Sequence, residues 1–144
     1  GSIDKFMGDG ILASFGAVVP DAAAAANGLR AVDDILAAVD GWRAQRQAAG
    51  RAAPDVGGGL ATGPVLFGII GDEQRLEYTV IGDAVNLAAK LEKHNKAEGT
   101  RALASGAAYA LARQQGYRGE KAVRAGRSVA GVGDPMDVVV LGSV

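Results

Sequence analysis

The sequence predicts an α+β domain built on a largely antiparallel sheet. Short apolar runs bounded by glycine, proline and aspartate outnumber the helical stretches. The helical stretches do not alternate strictly with the strands, which argues against a doubly wound parallel sheet. The chain has 144 residues and 49% of them are hydrophobic, so residues 1–144 form one domain with material for a sizeable core.

The chain opens on a hairpin signal. Ile3 and Phe6 precede Gly8-Asp9-Gly10, and Ile11, Leu12 and Phe15 follow. An Asp-Gly pair between apolar stretches favours a tight β-turn, which puts Asp9 at or beside the turn, at the open end of two strands. A long amphipathic helix comes next. Asp21, just after Pro20, is placed as its N-cap. The run Ala22 to Ala26 suits a helix better than disorder. Leu29, Val32, Ile35, Leu36, Val39 and Trp42 recur at helical spacing, and Gly50 is placed to end it.

Residues 55–71 are apolar and glycine-rich, and read as two strands with a bend near Gly63-Pro64. A strand over Glu77–Ile81 leads into Gly82-Asp83. Asp83 is placed as the N-cap of a helix over 84–97. A strand at 100–104, a short helix after Ser105 ending near Gly116, and strands within 117–129 and 136–142 complete the chain.

Composition excludes several function classes. Lys plus Arg number 15 and Asp plus Glu 16, a formal net charge of -1, so no electrostatic reason exists to expect a nucleic-acid partner. There are no cysteines, which removes disulfides, thiolate metal sites and cysteine nucleophiles. No apolar run approaches the length that spans a bilayer.

Four stretches bear on chemistry. In Lys5-Phe6-Met7-Gly8-Asp9-Gly10, a carboxylate at a glycine-flanked turn is accessible to a hard cation such as Mg²⁺. Taken alone, Asp9 reads more simply as a turn former. Gly57-Gly58-Gly59 lacks a following helix and a Gly-Lys-Ser/Thr, so it is no phosphate loop. Its glycines suit a close backbone approach or a bulge. In Glu77-Tyr78-Thr79-Val80-Ile81-Gly82-Asp83-Ala84-Val85-Asn86, Asn86 and Lys90 lie four apart on one helix face, with Lys93 near it. Val85, Ala88 and Leu91 take the opposite, core side. Free N–H groups and the helix dipole suit an anion there, although an ordinary solvated face explains the same pattern. His94 is the only histidine, has no partner for a transition-metal site, and is expected at a surface helix position.

In combination these stretches resemble the class III adenylate/guanylate cyclase family, in particular the threonine-containing bacterial subgroup similar to bicarbonate-responsive adenylate cyclases. The matching segments run from Ile3 to Gly16, from Gly63 to Gly71 and from Glu77 to Ala88, in order and at fitting separations. The resemblance implies a ferredoxin-like α+β core acting as a head-to-tail homodimer. It implies conversion of ATP to 3′,5′-cyclic AMP and pyrophosphate, with two metal ions, Mg²⁺ or Mn²⁺, in the complete domain. Asp9 then matches the second of the family's two metal aspartates. Lys5 and Thr79 match the positions that read adenine, and Asn86 the asparagine that orients the ribose from the opposite subunit.

The sequence departs from the family at three places. Its opening strand and helices, with the first metal aspartate, are not in this chain, so the expected fold is N-terminally truncated. This stretch alone is expected to be nearly inactive. Lys90 stands where the transition-state arginine is expected, keeping the charge but losing the planar fork. Val132, in the Ala130-Gly131-Val132-Gly133 loop, supplies no charge where a basic residue often meets the triphosphate. These departures favour a rival reading, a degenerate cyclase-like nucleotide-binding or dimerisation module without turnover. The resemblance also implies a cytoplasmic location, with an upstream sensor or membrane domain in the parent protein left open.

Overall fold

The computed structural model describes the backbone of residues 1–144 and the side chains of all but Ile70, Glu77 and Tyr78. The elements in chain order are β1 (Ser2–Met7), β2 (Gly10–Ser14), α1 (Ala24–Ala48), β3 (Gly58–Leu60), β4 (Leu66–Gly71), β5 (Leu76–Ile81), α2 (Asp83–Glu98), β6 (Thr100–Ser105), α3 (Gly106–Gln114), β7 (Ala122–Arg127) and β8 (Met136–Ser143). Every strand and helix expected from the sequence is present, within a few residues.

The sheet is not continuous. A four-stranded sheet has the order β3-β6-β8-β7, and two separate hairpins, β1-β2 and β4-β5, stand apart from it. The β3–β6 pair is parallel and all other pairs are antiparallel. Strand alternation buries the four-stranded sheet on both faces. On one face Ala102 and Ala104 of β6 and Val139 and Leu141 of β8 pack with Ala26 and Leu29 of α1, Ala112 of α3, and Tyr117. On the other, Leu103, Val138 and Val140 pack with Leu91 of α2 and Val129.

Between the edge strand β3 and hairpin strand β2 lies a cavity of about 150 Å³. Leu12, Ala13 and Ser14 of β2 line one side and Gly59, Leu60 and Ala61 the other, with Gly28 of α1 and Ala88 of α2 closing the two faces.

The close approach expected at the triple glycine is present. A Cβ at Gly59 would collide with the Ala88 carbonyl oxygen and stand 2.6 Å from the Glu92 nitrogen, so β3 packs directly on the α2 backbone. Three local expectations are corrected. Helix α1 begins at Ala24 rather than after Asp21. Asp21 instead holds the preceding turn, accepting from the Ala23 nitrogen at 2.9 Å and the Asn27 amide at 2.8 Å. Ile35 and Trp42 of its apolar repeat are 51% and 42% exposed, so the buried stripe is narrower than the repeat. Asp83 is the first residue of α2 and not its cap. The Gly82 carbonyl takes the Val85 and Asn86 N–H groups, and Asp83 adds a carboxylate to the positive end of the helix.

Candidate functional site

The strand-borne candidates sit on neighbouring elements. Lys5 lies opposite Leu12 on β1 and is exposed. Asp9, also exposed, occupies the two-residue turn with Gly8, closed by the Met7–Gly10 pair. Gly8 has φ +38°, a conformation that favours glycine and makes the turn possible. Thr79 is half-buried on β5 opposite Gly68, and β5 packs against β1.

Asp4, at the register shift in β1, and Val80 line the cavity between β2 and β3, whereas their neighbours Lys5 and Thr79 do not. Asp4 accepts from the Ser14 hydroxyl at 3.1 Å through Oδ1. Its Oδ2 is the one buried side-chain polar atom without a hydrogen bond among the described residues.

The helix-borne candidates lie beyond the end of β5. A Cβ at Gly82 would stand 2.7 Å from the Pro64 carbonyl oxygen, so the Gly63-Pro64 bend and the entry to α2 pack together. This fixes where α2 starts. Asn86 is then exposed on its first turn, and Lys90 follows one turn later, half-buried. Val85 and Ala88 turn inward to the cavity and Leu91 is fully buried, as the helical spacing predicts.

Lys90 is engaged: its Nζ donates to the Gly131 carbonyl at 2.8 Å. Sequence reasoning singled out the 130–133 loop but not this bond, which spans 41 positions and leaves no periodic trace. Val132 supplies no charge, as expected, but packs against the cluster around Leu91 and Val129. Its nitrogen donates to the Val129 carbonyl at 3.0 Å, closing the turn.

His94 corrects its expectation. Its side chain is 9% exposed rather than on the surface, and Nε2 lies 2.9 Å from Glu98 Oε2. Glu98 also accepts from Arg124 at 3.0 Å and faces Arg127 at 3.6 Å. Burial raises the Glu98 pKa, but bonds from Arg124 and His94 and the Arg127 charge outweigh it and hold the carboxyl below its ordinary range.

The structure thus places Lys5 and Thr79 on strands that pack together, Asp9 in the β1–β2 turn, and Asn86 and Lys90 on α2. None of the five lines the cavity between β2 and β3. Nor do the residues complete a metal centre. Among the described residues no group of three or more His, Cys, Asp or Glu could hold an ion. Hard divalent cations take about six oxygen ligands, to which Asp9 could add one carboxylate. No helix among the described residues is long and apolar enough to cross a membrane.

Comparison with known proteins gives consistent likenesses. Residues 7–140 match the family described as the adenylate and guanylate cyclase catalytic domain. The chain is 36% identical over 110 residues to adenylate cyclase 1 of Rhizobium meliloti (strain 1021), a stretch that is 76% of this chain and 16% of that protein. It is 35% identical over 99 residues to the terminal-differentiation-specific adenylate cyclase of Dictyostelium discoideum, covering 65% of this chain and 4% of that one. The chain therefore spans a small part of the curated relatives it matches. Among solved structures, it superposes on the adenylyl cyclase CyaB from P. aeruginosa with a TM-score of 0.82 and 26% identity, covering 96% of this chain and 70% of that one. The guanylyl cyclase Cya2 gives a TM-score of 0.80 and 30% identity, with 96% and 68% covered.

Proposed function

Because the chain belongs to the adenylate and guanylate cyclase catalytic-domain family, we propose that it serves as an adenylate cyclase domain, making 3′,5′-cyclic AMP from ATP. The observation that carries the adenine preference is Lys5, exposed on β1 beside the strand that bears Thr79. An ammonium donates to a ring nitrogen of the base, and a threonine hydroxyl accepts from its exocyclic amino group. Asn86 offers an amide to the ribose, and Lys90 an ammonium to the phosphates as charge builds on them.

None of these side chains lines the cavity between β2 and β3, which supports a site shared between two copies. In a head-to-tail homodimer the strand group of one copy meets the helix group of the other. Exposed apolar residues beside the strand group, Phe6 at 76%, Leu66 at 76% and Leu76 at 70%, favour such a contact. A divalent cation, Mg²⁺ or Mn²⁺, supplies charge neutralisation and nucleophile activation in this family's chemistry. Asp9 is the ligand this chain offers it.

The alternative, a nucleotide-binding or dimerisation module without turnover, is favoured by Lys90 in place of the expected arginine and by Val132, which brings no charge to the 130–133 loop. A cyclic AMP assay on the complete domain with Mg²⁺ and with Mn²⁺ at high protein concentration, beside Asp9→Ala, separates the two. Product above the Asp9→Ala control supports the enzyme; product equal to that control leaves the module. Lys5→Glu should lower ATP turnover by about tenfold or more, equivalent to ~1.4 kcal/mol of transition-state stabilisation. Unchanged ATP preference in that variant contradicts the role given to Lys5.

A further inference from the structure

We infer that Gly131 is a positioning residue for Lys90, and that the pair together presents one aimed ammonium to a phosphate oxygen. The inference rests on the phosphate-facing role proposed above for Lys90. A lysine carries its charge on a flexible four-carbon stem, whereas an arginine in the same place brings a rigid fork. Some other group must therefore aim the ammonium. The Gly131 carbonyl, 2.8 Å from Nζ, is its one protein acceptor among the described residues. An ammonium has three donors, so two remain for a ligand.

The carbonyl is itself held rigidly. Val129, 2% exposed, and Val132 flank Gly131 on both sides and anchor in the cluster that contains Leu91, the residue next to Lys90. Donor and acceptor are thus referenced to the same packed core. Position 131 also demands glycine. Its φ is +84°, and a Cβ there would stand 3.0 Å from Lys90 Cε. Any L side chain strains the loop and pushes the lysine stem away. The valine that carries no charge therefore has a use: it anchors the loop whose carbonyl aims the lysine.

The test uses the 144-residue chain and inorganic tripolyphosphate as the probe, with binding read by calorimetry at fixed salt. Gly131→Ala and Lys90→Met should each weaken binding by about tenfold, and the double variant by no more than either alone, because residues acting as one unit are not additive. Lysine-selective NMR of the wild-type chain should show the Lys90 Nζ more ordered than that of exposed Lys93. That readout needs no substitution, so it stands even if Gly131→Ala loses the fold. Losses that multiply in the double variant, a Lys90 Nζ as mobile as Lys93, or no tripolyphosphate binding by the wild-type chain each overturn the inference. Cyclic AMP formation without this coupling rejects the inference and spares the cyclase. Coupling without cyclic AMP formation does the reverse.

Discussion

Gly59 sits where β3 crosses α2 with no space between the two backbones. A methyl group there meets the Ala88 carbonyl and the Glu92 nitrogen, main-chain atoms that cannot turn aside as a side chain can. Gly59→Ala should therefore cost about 3 kcal/mol, at the upper end for overpacking, as a lowered urea midpoint will show. Gly58, whose added Cβ would meet only the Ala102 methyl at 3.3 Å, should tolerate alanine far better. The need for glycine in this stretch was legible in the sequence, because three in succession in an apolar run suit a close approach or a bulge. Which of them mattered was not, since the position of α2 over the strand is a tertiary fact. Asp83 teaches the same lesson on a smaller scale. An aspartate at the first helical position and one at the cap look alike in sequence, and only the Gly82 carbonyl bonds to Val85 and Asn86 tell them apart.

Helix α2 carries both helix-borne site residues, and the fastening of its far end decides how firmly they are held. Glu98, its last residue, takes charge-assisted bonds from His94 and from Arg124 on β7, while Arg124 also donates to the Glu98 carbonyl at 2.7 Å. Cations at a helix C-terminus are favourable in themselves. Because the carboxyl is held below its ordinary range, its ionised form is favoured by folding. Its contribution is then fully present above the unfolded glutamate pKa, about 4.3, and is lost as pH falls through the depressed folded value. The stability gap between the wild-type chain and Glu98→Gln should be widest near neutral pH and close on acidification toward pH 3. Urea melts across that range will show it, and a gap independent of pH contradicts the assignment. None of this was visible in the sequence, where a lone histidine and two arginines some thirty residues on read as solvated charge. The elements themselves were legible because glycine, proline and aspartate punctuate them so regularly.

At the scale of the molecule, the α+β class and every element were readable from the sequence, but the division of the sheet was not. Pairing between distant strands leaves no local pattern. Hairpin β1-β2 announced itself through its Asp-Gly turn, while the pairing of β4 with β5 and the lack of a ladder between β2 and β3 emerge only in three dimensions. That division has a dynamic consequence. Among the described residues neither core cluster draws a buried residue from β1, β2, β4 or β5, although Val80 of β5 is buried outside them; together the clusters are built from α1–α3, β6, β8 and their adjoining loops. The hairpins are held mainly by their own turns and by edge contacts, so they should open locally without unfolding the sheet. Native-state hydrogen exchange should find β1, β2, β4 and β5 exchanging through low-energy openings, and β6 and β8 near the global limit. Lys5, Asp9 and Thr79 then ride on the looser part of the chain and Asn86 and Lys90 on the firmer part. Any ligand gripping both must order the hairpins as it binds, and its measured affinity is lowered by the population of the competent, closed state. A substitution that merely stiffens either hairpin, far from any ligand atom, should tighten binding by that same factor.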